Sequence, residues 1–259
     1  MHPTQIADLL RPFLSPIPGT GHSEKPGAEE SAVLSPAQLQ AISTYIDILL
    51  RWNARINLTA IRDPQQIVTR HFGESFFAAR TLFPVGADAP SAPERSQVSE
   101  ASTTRNHARP EEPRAAAAAN GISVADLGSG AGFPGLPIRL WAPWISLTLI
   151  ESNHKKATFL REAARALTLT SVDIITARAE SLTSRAFDVV TLRAVERFET
   201  ILPVAASLVA PEGRLALLIG SSQFVAAQEH LSRSSPDLKW TTPQPIPLSR
   251  TRVLAVAHR

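Results

Sequence analysis

Apolar residues recur at helical spacing through the first third of the chain. After residue 121 they instead fall into short continuous runs broken by glycine, proline and polar residues. Ile6, Leu9, Leu10, Phe13 and Leu14 predict a short amphipathic helix over Thr4–Leu14. Ser35-Pro36 starts a second helix, with serine at the N-cap and proline at the first helical position. Leu39, Ile42, Ile46 and Leu49 form its apolar stripe, widened by Tyr45, Leu50 and Trp52. A polar break follows over 52–60, and Pro64–Leu82 reads as helix again. Beyond Gly121 the predicted strands are Ile122–Leu127, Ile145–Ile150, Val172–Thr176, Phe187–Leu192 and Arg214–Ile219. Helices are expected between them at Pro134–Trp141, Asn153–Leu167, Phe198–Leu208 and Gln223–Leu231, with an antiparallel pair, Lys239–Ile246 and Thr251–Ala257, at the end. Strand–helix alternation of this kind makes a doubly wound α/β sheet.

Composition changes this picture at two places. Residues 15–34 are rich in Pro, Gly, Ser and Glu and read as a linker. Residues 85–120 hold several prolines, many Ser, Thr and Ala, and almost no large apolar side chains. Burial there does not offset the entropy of ordering, so disorder is expected. The expected organisation is a helical N-terminal extension with linker (1–84), a disordered insertion (85–120) and an α/β core (121–259). The chain has no cysteine, which excludes disulfides, cysteine-ligated zinc, iron–sulfur clusters and thiol nucleophiles. No run approaches the ~18 apolar residues of a membrane span, and the N-terminus lacks the pattern of a secretory signal, so a cytoplasmic protein is expected. The net charge is only +3, but the basic residues gather on the flanks. Arg51, Arg55, Arg62, Arg70 and His71 lie on the N-terminal side, and Arg233, Lys239, Arg250, Arg252 and Arg259 on the C-terminal side. This suits either a polyanionic partner or a solvated arginine-rich surface.

The candidate chemistry centres on Asp126-Leu127-Gly128-Ser129-Gly130-Ala131-Gly132-Phe133-Pro134-Gly135, where a strand breaks into glycines and enters a helix. Glycines let backbone N–H groups approach a ligand closely, and the helix that follows presents its positive end. Gly130-x-Gly132-x-x-Gly135 matches the dinucleotide fingerprint, and Glu151 stands where a carboxylate holding ribose hydroxyls is expected, about 20 residues on. Asp126 decides between cofactors. A carboxylate at the strand end repels a pyrophosphate but favours an ammonium or sulfonium group. S-adenosyl-L-methionine is therefore preferred over NAD, and no metal is expected.

Ligands of such sheets lie beyond the carboxyl ends of the strands. The expected cofactor contacts are Gly128, Gly130, Gly132 and Glu151, with Ala179-Glu180 at the adenine edge. Arg193 ends the fourth strand, where a reacting group lies, and is the candidate catalytic residue; the alternative is a surface arginine or one paired with Glu196. The acceptor is narrowed by elimination. The Pro-Pro-Tyr type of run used for amino groups is missing after the fourth strand, and attack on pyrimidine carbon 5 requires a cysteine. Guanine N7, oxygen acceptors and carboxylates remain open. An oxidoreductase would need a catalytic Tyr/Lys or His/Asp set near the crevice, and the only tyrosine, Tyr45, lies on an apolar helix face. A small-molecule methyltransferase remains the alternative. Asn57 reads as a helix-terminus cap, His71 as a partly buried structural histidine, and Lys155 and Lys156 as RNA-facing or simply solvated.

The sequence resembles the RsmG (GidB) family of bacterial small-subunit rRNA guanine-N7 methyltransferases. The resemblance rests on Asp126 to Pro137, Leu149-Ile150-Glu151-Ser152, Lys155-Lys156, Phe159-Leu160-Arg161-Glu162, Arg178-Ala179-Glu180 and Asp188 to Ala194. Upstream, Trp52-Asn53, Ile56 to Ala60 and Arg70-His71-Phe72 continue it. The resemblance implies a class I methyltransferase fold, Rossmann-like and mostly parallel with an antiparallel C-terminal strand. It implies S-adenosyl-L-methionine as cofactor, with contacts at Gly128, Phe133, Ala179-Glu180 and Arg193. It also implies methyl transfer to N7 of a guanine of 16S rRNA, with 16S rRNA or the small ribosomal subunit as partner. Separately, a monomer is expected. Two positions depart from the family pattern: the 85–120 insertion, and Ile219 where members usually carry a lysine.

Overall fold

The computed structural model describes residues 1–15, 33–84, 121–182, 185–193 and 198–259. The expected insertion, most of the linker and Ala194 lie outside the described residues. The N-terminal region holds α1 (Pro3–Leu14), α2 (Pro36–Asn53), the single turn α3 (Pro64–Gln66), a π-helical segment (Ile67–Gly73) and α4 (Glu74–Leu82). The core follows as β1 (Ser123–Leu127), α5 (Gly135–Trp141), β2 (Ser146–Ile150), α6 (His154–Ala166), β3 (Val172–Ile175), a 3-10 turn (Ala179–Ser181) and β4 (Phe187–Arg193). It ends with α7 (Phe198–Ser207), β5 (Val209–Gly220), α8 (Ser221–Ser234), β6 (Lys239–Trp240), β7 (Gln244–Pro245) and β8 (Arg252–His258).

Local chemistry explains the N-terminal boundaries. Ser35 Oγ accepts from the Gln38 amide at 3.2 Å, and Gln38 Oε1 accepts from the Ser35 amide at 2.8 Å, a reciprocal capping box. Gln38 Nε2 also donates to the Leu140 carbonyl at 2.8 Å, tying this helix start to α5. The expected helix over Pro64–Leu82 is continuous, but its middle is a π segment that apolar spacing does not foretell. Gly73, the last residue of that segment, packs directly on α1, where a Cβ would stand 2.5 Å from the Phe13 ring.

The sheet order is β3-β2-β1-β4-β5-β8-β6, with β7 also pairing β8. Strands β1 to β5 are parallel, and β8 runs antiparallel between β5 and β6. This is the class I methyltransferase arrangement. The expected strand Lys239–Ile246 is broken into two short pieces, both paired to β8. Strand β5 begins earlier than its apolar run, because Val209 pairs with Phe187 before a register shift.

Alternating strand residues feed two cores. Val124, Leu147, Leu149, Val189 and Leu218 pack with α5, α6 and the N-terminal helices in one continuous cluster. Ala125, Leu127, Val190, Leu217 and Ile219 pack with α7 and α8 on the other face. The N-terminal helices thus share a core with the sheet rather than standing apart from it. Leu127 lies opposite both Ile150 and Leu192, so the carboxyl ends of β1, β2 and β4 are flush. Gly128, Glu151 and Arg193 follow along that one edge.

Candidate functional site

The glycine turn is built on three left-handed residues, Gly128 (φ 65°), Gly130 (φ 53°) and Gly132 (φ 83°). Gly128 and Ser129 donate backbone N–H bonds to the Ile150 carbonyl at 2.8 and 3.2 Å, which hangs the turn on the end of β2. The glycines serve different needs. A Cβ on Gly130 would meet nothing closer than the Gly128 carbonyl at 3.7 Å, so this position opens onto the crevice. A Cβ on Gly132 would clash with the Tyr45 hydroxyl and approach Leu136 Cδ1 at 2.7 Å. Gly132 is glycine for packing.

Asp126 is not open to the crevice, contrary to the expectation from its place at the strand end. Its carboxylate is completely buried. Oδ1 accepts from Thr191 Oγ1 at 2.8 Å and Oδ2 from the Gly135 amide at 3.2 Å. Burial pushes its carboxyl up to about 6, with the Thr191 and Gly135 bonds pulling the other way. Asp126 therefore holds the strand end to the start of α5. The positive end of α5 is likewise used internally: Gly135 donates to Asp126, and Leu136 donates to the Gly132 carbonyl at 2.9 Å.

Glu151 is also engaged. Oε2 accepts from the Gly130 amide at 2.9 Å and Oε1 from the Asn153 amide at 2.7 Å. Each carboxylate oxygen keeps a second lone pair. Glu180 is exposed and Ala179 buried at the end of the same edge. Asn153 caps α6 by accepting from the Lys155 and Lys156 amides, and the Lys155 side chain is exposed. Ile219 is 2% exposed within the α7–α8 core, so its side chain has no access to the crevice.

Tyr45 and His71 meet the turn from the N-terminal helices, and Glu74 meets the end of β4. Tyr45 Oη donates to the Ala131 carbonyl at 2.6 Å. Its ring stacks on Phe133 at 5.3 Å and 6°, and His71 stacks near the other side of Phe133 at 4.8 Å and 21°. Phe133 is thus enclosed by aromatic rings rather than presented by its side chain to the crevice. Glu74, at the start of α4, is 2% exposed and accepts from Arg193 Nη2 at 3.1 Å and Nε at 3.3 Å. It also accepts from Arg252 Nε at 3.0 Å.

Arg193 consequently sits in a socket. Besides Glu74, its Nη2 donates to the Arg70 carbonyl at 2.7 Å and its Nη1 to His71 Nδ1 at 3.0 Å. Arginine only donates, so Nδ1 is the acceptor and His71 Nε2 carries the proton, donated to Thr59 Oγ1 at 2.8 Å. Burial, helped by Arg193, Arg70 and Arg252, pulls His71 down to about 3 and keeps it neutral. The loop carrying Thr59 is held by Asn53, whose Oδ1 accepts from the Leu58 and Thr59 amides. The capping role expected of Asn57 thus falls to Asn53, while Asn57 is exposed beside an open hollow shared with Arg62. Glu74 and Tyr45 leave no signal in the sequence because their partners lie 119 and 86 residues away.

Among the described residues, no group of three His, Asp or Glu side chains is placed to hold a metal, and no helix is long and apolar enough to cross a membrane.

Comparison with known proteins places this geometry. The family model described as rRNA small subunit methyltransferase G matches residues 38–85 and 114–237, skipping most of the expected insertion. The chain is 36% identical over 187 residues to Ribosomal RNA small subunit methyltransferase G of Halorhodospira halophila, covering 72% of each chain. It is 35% identical over 190 residues to the protein of the same name from Stenotrophomonas maltophilia, covering 73% of this chain and 70% of that one. Among solved structures it is similar to ribosomal protein L11 methylase from Lactobacillus delbrueckii subsp. bulgaricus, with a TM-score of 0.47 and 16% identity over 55% of this chain and 72% of that chain. The family match spans most of the chain, including both the glycine turn and the helices that grip it, and the chain belongs to the GidB family, rRNA small subunit methyltransferase G.

Proposed function

We propose that the protein transfers a methyl group from S-adenosyl-L-methionine to N7 of a guanine in 16S rRNA of the small ribosomal subunit. The observation that carries this reading is the family match across both the turn and the N-terminal helices. The residues suit the cofactor: Gly130 opens onto the crevice with space for a close approach. Gly128 and Gly130 would line that approach, with Gly132 and Phe133 shaping the turn behind them. Glu151 would take ribose hydroxyls on its remaining lone pairs, and Ala179-Glu180 would border the adenine. When bound, the cofactor supplies an electrophilic methyl group on a sulfonium.

Guanine N7 has an in-plane lone pair and no proton at neutral pH, so its methylation needs no general base. The site agrees with that economy. His71 has both ring nitrogens committed, and Arg193 stays protonated. Arg193 keeps one N–H on Nη1 beyond its bonds to described residues, and we assign it the role of fixing the acceptor or the cofactor. Positioning and exclusion of water then supply the rate. The reading also takes residues 121–259 as the cofactor-binding core and 1–84 as the helical part that completes the site. It takes 85–120 as an insertion, and the protein as a cytoplasmic monomer.

The test is incubation with labelled S-adenosyl-L-methionine and either naked 16S rRNA or assembled small subunits, followed by mapping of the label. Label at N7 of one guanine is expected. Label confined to a small-molecule acceptor, or absent from both RNA substrates, would overturn the assignment.

A further inference from the structure

The Glu74 cluster carries more positive charge than its own carboxylate balances. Arg193 and Arg252 both bond Glu74 Oε2, and Arg70 Nε lies 3.6 Å from Oε1. Three guanidinium groups therefore surround one buried carboxylate. His71, in contact with Arg193, is neutral and adds nothing. Among the described residues Asp126 is the other acid that acts on Arg193, and its oxygens are already bonded to Thr191 and Gly135. Even with Asp126 ionised, the five charges leave one net positive charge. Guanidinium groups gathered this closely favour an anion, and among the described residues the two carboxylates leave one positive charge unmatched.

The cluster also has a definite place. Along the carboxyl edge of the sheet the order is Glu151 after β2, the glycine turn after β1, Arg193 ending β4, and Arg252 opposite Gly220 at the end of β5. The cofactor elements occupy the β3-β2-β1 half. The guanidinium groups occupy the β4-β5 half, where an acceptor must come. Arg252 Nη1 and the terminal nitrogens of Arg70 make no bond to described residues, whereas Arg252 Nε and Nη2 are spent on Glu74 and the Leu218 carbonyl. The Arg70 side chain is 55% exposed, so the cluster reaches the surface. It continues through His71 and Thr59 into the loop bearing exposed Arg55 and Arg62.

We propose that the Arg70–Arg193–Arg252 face is a phosphate site, which takes a backbone phosphate of the RNA beside the target nucleotide. Glu74 is the carboxylate that gathers the three guanidinium groups. Phosphate suits the site because its oxygens accept from planar guanidinium donors in pairs. The cofactor's carboxylate is the other source of the same chemistry, but an RNA phosphate is favoured because Arg70 is 55% exposed and the cluster runs on to the exposed Arg55 and Arg62. The inference rests on the proposed RNA substrate.

The test compares wild type with Arg70→Gln and Arg252→Gln. Binding of 16S rRNA, naked and in assembled small subunits, is measured across a salt series, and S-adenosyl-L-methionine is titrated calorimetrically. Arg70→Gln, at an exposed position, is expected to fold normally, which its melting curve checks. It should weaken rRNA binding several-fold and lower the log–log salt slope by roughly 0.7–0.9 for each phosphate no longer neutralised, with cofactor affinity unchanged. Arg252→Gln should act in the same direction. An unchanged salt slope in Arg70→Gln overturns the phosphate site while leaving methylation of rRNA intact. Loss of cofactor affinity with rRNA binding preserved reassigns the anion to the cofactor carboxylate and also overturns it. Wild-type protein that neither binds nor methylates rRNA overturns the proposed function and this site together.

Discussion

The glycine turn and the Glu74 cluster lie on one edge of one sheet, yet they are made in opposite ways. The turn is local. Its bonds join residues 126–153, among them Ser129 to Asp126, Gly130 to Glu151 and Gly135 to Asp126. The cluster is assembled from the π segment, α4, the end of β4 and the start of β8, across separations of 119 and 178 residues. Local construction fixes a backbone shape that a cofactor can approach. Long-range construction fixes charge, because only tertiary packing brings three arginines onto one carboxylate. Tyr45 and His71 join the two by enclosing Phe133 between them.

The largest expected effect breaks the join from the side of the turn. Gly132→Val should cost roughly 3–5 kcal/mol of folding stability, since it adds left-handed strain to a collision with Tyr45 and Leu136. Thermal unfolding reads this directly, and a wild-type melting temperature would mean that Tyr45 does not press on the turn.

Arg193→Ala separates rate from stability in the cluster. Methyl transfer should fall about 10²-fold, the scale for loss of one positioned donor. Stability should fall much less, because Arg252 and Arg70 remain on Glu74. The comparison is turnover on 16S rRNA against melting temperature, and normal turnover would make Arg193 purely structural.

Glu151→Ala tests the local side. Cofactor binding should weaken by ~1.5–3 kcal/mol, the range for removing a hydrogen bond to a charged group, with the fold preserved. An unchanged dissociation constant by calorimetry would move the ribose contact elsewhere.

His71 supplies a pH test of the join. Its folded value of about 3 lies below the unfolded 6.5, so the fold resists taking a proton there. Stability from this residue is full above pH 6.5 and is lost as pH falls toward 3. Between pH 6.5 and 5 the loss is about 2 kcal/mol. Asp126 acts with the opposite sign below about pH 6, since the buried acid protonates more readily in the fold. The difference between wild type and His71→Gln cancels the Asp126 contribution and should show a shallower acid limb in the variant. Parallel pH profiles in denaturant titrations would contradict a buried neutral His71.

The smallest effect sharpens the same contact. Tyr45→Phe removes one buried hydrogen bond to Ala131 and should cost about 1 kcal/mol, with a weaker effect on cofactor affinity than Glu151→Ala. A loss of cofactor binding equal to that of Glu151→Ala would make Tyr45 part of the cofactor site.

Much of the molecule is legible in the chain. Strand runs such as Ser146–Ile150 and helix starts such as Ser35-Pro36 are written in neighbouring residues, and so is the alternation that makes a doubly wound sheet. The glycine turn and Glu151 are visible for the same reason, because backbone conformation and short spacing are local properties. Asp126 marks the limit: its place at the strand end is plain in the sequence, but its direction is not. A carboxylate at a strand end faces either a ligand or a helix start, and only packing against Thr191 and Gly135 chose the second. The π segment, the Tyr45–Phe133–His71 stack and the Glu74 cluster belong to tertiary structure alone. The stack and the cluster join residues far apart in the chain through side chains whose types, an apolar-face tyrosine or a helix-start glutamate, are ordinary where they stand. Sequence determined the elements and the turn because short-range sterics and burial period act residue by residue. Tertiary structure decided which charges share a pocket, because that depends on which faces of α4, β4 and β8 the shared core brings together.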